Sequence, residues 1–94
     1  MGQYNMAERT LSIINEKGLH ARASAKFVEV AEQFVARVTV CKDGMDASGD
    51  SIMGLLMLAA SHGTSINVRT DGADADAAMD ALAALVADKF GEDK

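Results

Sequence analysis

Two stretches of the chain alternate between apolar and polar residues, and three others repeat their apolar residues at a helical period. In A-R-V-T-V-C-K, Ala36, Val38 and Val40 fall on one side, with Arg37, Thr39 and Cys41 on the other. That is the period of a half-buried strand. T-S-I-N-V-R-T repeats it, with Ile66 and Val68 inward. From Ala21 the apolar residues Ala23, Phe27, Val30, Ala31 and Phe34 follow an i, i+4, i+7, i+8, i+11 stripe, the face of an amphipathic helix. A second helix carries Ile52, Leu55, Leu56 and Ala59, with Ser48, Asp50 or Ser51 as its cap and Gly63 closing it. A third runs from about Ala73 to Phe90, with Met79, Leu82, Ala83, Val86 and Phe90 on one face. Its acidic start at Asp74 and Asp76 and its late Lys89 complement the helix dipole.

The remaining segments complete the order. Leu11 to Ile14 reads as an opening strand with Leu11 and Ile13 on one face, and Asn15 to Leu19 as a loop around Gly18. Asp43-Gly44 is a hairpin signal, because that dipeptide accepts the positive φ angles of a type I′ turn. A brief return strand follows over Met45 to Ala47. The order is βαββαβα, which predicts an α+β sandwich with helices on one face of a small antiparallel sheet.

Length adds that residues 1–94 form a single domain, and a hydrophobic fraction of 49% suffices for a core. The single cysteine, Cys41, allows no internal disulfide and fits a reducing compartment. The N-terminal M-G-Q-Y-N-M-A-E-R has no apolar run of the kind a secretory signal needs, and no segment approaches the roughly 18 apolar residues of a membrane span. A net charge of −5 argues against nucleic acid as the main partner, since phosphate backbones recruit basic faces. The expectation is a cytoplasmic protein without membrane insertion.

Candidate chemistry gathers in K-G-L-H-A-R-A-S-A-K-F, where His20 stands at the mouth of the first helix. A helix N-terminus has unpaired N–H groups and partial positive charge, so the amides of Ala21 and Arg22 are suited to a phosphate. The same field favours a neutral imidazole, whose ring nitrogen can accept a phosphoryl group. Arg22 adds a fork of donors for phosphoryl oxygens. From these residues alone, a plain surface cap explains His20 as well. His62, in A-A-S-H-G-T, reads as a capping residue at the end of the second helix. The two histidines lack the neighbouring Cys or carboxylate spacing of a metal site. No zinc motif or Ser-His-Asp order is present, and Gly44, Gly49 and Gly54 form no Walker or dinucleotide loop. Ser51 reads as a cap. Ile52 and Met53, with Met57 one turn on, read equally as a docking patch or as core.

The motif G-L-H-A-R-A-S, followed about thirty residues later by D-S-I-M-G-L-L-M-L-A-A-S-H-G-T, resembles HPr, the histidine-containing phosphocarrier family of the bacterial phosphotransferase system. The resemblance spans roughly Arg9 to Phe90. It implies an open-faced β-sandwich of four antiparallel strands with three helices on one side. It also implies that His20 accepts a phosphoryl group from Enzyme I and passes it to an Enzyme IIA, with Arg22 as the active-site arginine. Ser51 matches the family's regulatory serine, the target of HPr kinase/phosphorylase, and Ile52 and Met53 beside it become candidates for partner docking. Two departures stand out: Ala23 replaces the usual proline, and Asp50 replaces the usual lysine before the serine. Ala23 together with the serine motif points toward the regulatory, nitrogen-related branch. The expected protein is a monomeric relay substrate with no turnover of its own and no metal or organic cofactor. The rival from another class is a signalling module that binds its partners stoichiometrically, without phosphoryl flux.

Overall fold

The computed structural model describes residues 5–94, so the first four residues of the N-terminal segment lie outside it. Strand β1 spans Met6–Ser12, α1 Ala21–Ala31, β2 Arg37–Lys42, β3 Met45–Ser48, α2 Ile52–Met57, β4 Ser65–Asp71 and α3 Ala75–Ala87, with a 3-10 turn at Lys89–Gly91. The four strands form one sheet in the order β1-β4-β2-β3, and every neighbouring pair is antiparallel.

Alternation decides which face of the sheet is covered. Leu11 lies opposite Ile66, Val40 opposite Val68, and Val38 opposite Thr70, and all six side chains are buried. Arg69 and Thr39 pair on the other face, as do Cys41 and Asn67. That face bears no helix. Helix α3 packs on β1 and β4, α2 packs on β3, and α1 lies between the other two helices. Phe27, Leu55, Leu82 and Phe90 fill the space between the layers, fully buried. Burying a side chain of that size contributes about 1.5–3 kcal/mol, so the helical layer holds largely through this contact. The predicted α+β, open-faced arrangement is the one observed.

Several boundaries differ from the sequence reading, each for an identifiable reason. Strand β1 begins at Met6, because the β4 edge from Ser65 to Asp71 supplies partners to a stretch with little alternation of its own. Ile13 lies past the end of β1 but stays buried, and its main chain still bonds to Thr64 and Gly63. Helix α2 ends at Met57, since Ala59 adopts a positive φ of 52°, well before Gly63. His62 therefore sits exposed in a turn, five residues past the last helical one, and caps nothing there.

Helix α3 does not reach Phe90. Lys89 and Phe90 take φ values of 57° and 56°, which breaks the helix and turns the Phe90 ring into the core. Lys89 thus lies outside α3 and does not serve its dipole. Asp74 stands at the helix start without bonding the helix's own amides. Its carboxylate accepts from the Val35 and Ala36 N–H groups, both at 2.8 Å, and so pins the α1–β2 connection. The Asp43-Gly44 turn has positive φ at both residues, 52° and 81°, as a type I′ hairpin requires.

Candidate functional site

The loop before α1 is built around Asn15 and Gly18. Asn15 is fully buried, and its main-chain carbonyl accepts from the Gly18 N–H at 3.1 Å. Its side-chain amide donates back to the Gly18 carbonyl at 2.8 Å, closing the turn from both sides. Gly18 has φ +67°, and a Cβ there would stand 2.5 Å from the Ala60 carbonyl oxygen. Only glycine fits both the backbone conformation and the approach. Leu19 donates to that same carbonyl at 2.8 Å, and the Ser24 hydroxyl donates to the Leu19 carbonyl at 3.1 Å. The segment that presents His20 is therefore tied to the 59–61 turn on one side and to its own helix on the other.

His20 occupies the N-cap of α1 in an extended conformation, and its side chain makes no bond to its helix. The first helical bond runs from the Ser24 N–H to the His20 carbonyl. The amides of Ala21, Arg22 and Ala23 precede it and have no intrahelical acceptor. Arg22 is exposed and has no hydrogen-bond or ion-pair partner among the described residues. It lines a pocket of about 430 Å³ with His20, Glu16, Lys17, Lys26, Gly91, Glu92, Asp93 and Lys94. Four cationic and three acidic side chains share that space with the histidine. Ala23 is fully buried in the core, a placement the proline comparison did not anticipate.

The residue sequence reasoning missed is Glu92. The break at Lys89–Phe90 redirects the end of the chain across α1. The Lys26 ammonium holds the Phe90 carbonyl at 2.8 Å, and the Glu16 N–H holds the main-chain oxygen of Lys94 at 2.9 Å. Between these anchors, one Glu92 carboxylate oxygen accepts from the Asn15 amide at 2.9 Å and the other meets His20 Nε2. Burial works to raise the Glu92 carboxyl. The hydrogen bonds from Asn15 and His20, and then the charges of His20 and Lys17, outweigh that effect and hold it below the ordinary glutamate value. Glu92 is therefore ionised at neutral pH and acts as an acceptor. The one hint in the sequence was K-F-G-E, a glycine stop followed by a carboxylate.

Ser51 is the N-cap of α2, and its hydroxyl oxygen accepts from the Gly54 N–H at 3.0 Å. Ser48 instead donates to Asp50 at 2.5 Å, which settles the choice among the three capping candidates. Ile52, Met53 and Met57 are all exposed, Met53 at 69% and Met57 at 66%, so the core reading fails for them and a surface patch stands beside Ser51. Cys41 lies on the helix-free face opposite Asn67 and Asp46. Hydrogen bonding to Asp46 keeps its thiol above the ordinary value, so it is a poor thiolate. Among the described residues no helix is long and apolar enough to cross a membrane.

Fold and site together define a small open-faced α+β domain that presents a histidine at the entrance of its first helix. The family model described as the PTS HPr component phosphorylation site matches residues 7–88. The chain belongs to that family, and with it to the phosphocarriers of the phosphotransferase system. It is 49% identical over 87 residues to the phosphocarrier protein HPr of Cupriavidus necator, covering 93% of this chain and 98% of that one. It is 46% identical over 85 residues to the phosphocarrier protein NPr of Shewanella violacea, covering 90% and 93%. Relatives bearing the HPr and NPr names thus both lie within this range. A crystal structure of HPr from Thermoanaerobacter tengcongensis superposes with a TM-score of 0.89 at 39% identity, over 94% of this chain and 99% of that one.

Proposed function

We propose that His20 accepts a phosphoryl group from phospho-Enzyme I and passes it to an Enzyme IIA protein. The observation that carries this reading is the division of labour between the two ring nitrogens. Nε2 is taken by Glu92, while Nδ1 has no partner among the described residues, and the residue lines the same pocket as Arg22. In the transfer, the Nδ1 lone pair attacks phosphorus as the bond to the donor's leaving atom breaks. The amides of Ala21 and Arg22 and the Arg22 guanidinium then receive the phosphoryl oxygens. The helix fixes those amides before the phosphoryl group arrives, and the Arg22 side chain, held by no other partner among the described residues, is free to turn to it.

Ser51 is the proposed regulatory site, a target for an HPr kinase/phosphorylase, and Ile52 and Met53 form the surface on which partners dock. A phosphate on Ser51 adds about −1.5 to −2 charges next to that surface, so its effect falls on docking. The protein works in the cytoplasm as a monomeric single-domain relay. Incubation with Enzyme I and phosphoenolpyruvate tests the assignment. The wild type gains an acid-labile, base-stable phosphate, and His20→Ala gains none while keeping its melting behaviour. Labelling that persists in His20→Ala, moved to His62 for instance, overturns it.

A further inference from the structure

The contact between Glu92 and His20 explains something the histidine alone does not: why one ring nitrogen is free. A carboxylate can only accept, so the nitrogen it meets must bear the proton. With Nε2 protonated, the neutral ring keeps its lone pair on Nδ1. We infer that Glu92 is a positioning residue, which fixes the His20 ring and its tautomer so that Nδ1 is the nucleophile. This rests on the reading of His20 as the phosphoryl acceptor and adds a residue outside the G-L-H-A-R motif to the site.

The geometry supports a built arrangement and not a chance contact of a surface tail. Both Glu92 oxygens are engaged, one by His20 and one by the buried Asn15 amide. Asn15 spends its other amide proton on Gly18, in the same loop that presents the histidine. Glu92 thus links the two ends of the described chain through the loop that holds the ring. Lys26 anchors the preceding Phe90 carbonyl from the first helix itself. The Asn15 side-chain oxygen is buried and unbonded, so the amide is oriented for what its nitrogen donates.

The chemical consequence follows from charge. As Nδ1 forms its bond to phosphorus and the donor's bond breaks, the imidazole gains positive character. The proton stays on Nε2, and the Glu92 carboxylate stabilises the ring that carries it. Carboxylates that orient a metal-ligating histidine in this way typically change affinity or activity by about 10–100-fold, and an effect of that order is expected here.

The test reads the ring and the reaction separately. Nitrogen-15 NMR of the neutral His20 ring gives the tautomer ratio with no phosphoryl group present. Phosphoramidate, a small phosphoryl donor, gives the phosphorylation rate without a docking partner. In the wild type the Nε2–H form dominates. Glu92→Ala is expected to yield a mixed tautomer and a rate about 10-fold or more lower. Glu92→Gln keeps only one acceptor oxygen for the two donors, Asn15 and His20, so its rate is expected to fall below the wild type. An unchanged tautomer ratio or an unchanged rate in Glu92→Ala overturns the inference. If His20 proves not to be phosphorylated at all, the tautomer measurement still decides the role of Glu92.

Discussion

The N-termini of α1 and α2 begin with polar residues in extended conformation, and they use those side chains in opposite ways. Ser51 turns its hydroxyl back onto the Gly54 N–H, satisfying the helix it opens. His20 leaves its helix uncapped and gives its ring to Glu92, far away in sequence. One N-terminus is closed by its own residue. The other keeps its first amides open beside the pocket that Arg22 lines. The difference separates a cap from a site: a self-satisfied N-terminus stabilises its helix, whereas an open one retains its affinity for an anion.

The sharpest way to break the contrast is to disturb the turn that aims His20. Gly18→Ala places a methyl group 2.5 Å from the Ala60 carbonyl oxygen and 2.8 Å from the Ser61 Cα, at a positive φ. Backbone strain and clash together should cost about 2 kcal/mol or more, read as a lowered melting temperature with phosphorylation of His20 impaired. Normal stability would mean that the 59–61 turn gives way easily.

A smaller effect is expected at the other N-terminus. Ser51→Ala removes the cap of a six-residue helix and should cost about 1 kcal/mol by denaturant unfolding. Ser51→Asp should retain most of that stability, because aspartate also caps and its charge suits the helix dipole. It should nonetheless slow transfer from Enzyme I in a labelling time course, through charge beside Ile52 and Met53. A variant that unfolds, or one that transfers at the normal rate, would place the regulatory role elsewhere.

The smallest effect tests the uncapped end again. Ala23 lies in the first turn of α1, where an N–H has no intrahelical acceptor and proline is accepted. Restriction of the unfolded chain favours Ala23→Pro by about 0.4–1 kcal/mol. The full burial of Ala23 opposes it, since the ring must fit among core side chains. The net change in melting should stay within about 1 kcal/mol, with the phosphohistidine lifetime unchanged. A markedly shortened lifetime would show that the Ala23 amide serves the phosphoryl group.

Much of this molecule is set by short-range pattern. The period-2 alternation around Val38, Val40, Ile66 and Val68 and the helical stripe through Ala23, Phe27 and Ala31 were legible, because burial of one face forces each residue type to recur at the period of its element. Asp43-Gly44 was legible for a similar reason, since backbone conformation there depends on the two residues themselves. His20, Arg22 and Ser51 could be singled out because helix starts announce themselves locally. What the sequence could not supply were relations fixed by partners distant along the chain. Strand β1 extends back to Met6 only because β4 is there to pair with it. Asp74 looked like a dipole residue and became the anchor of the 35–36 loop. The long third helix looked continuous until core packing of Phe90 required a left-handed backbone at Lys89 and Phe90. That break brings Glu92 back over α1 to Asn15 and His20. Sequence determined which histidine stands at an open helix end, and tertiary structure alone decided which of its nitrogens is free.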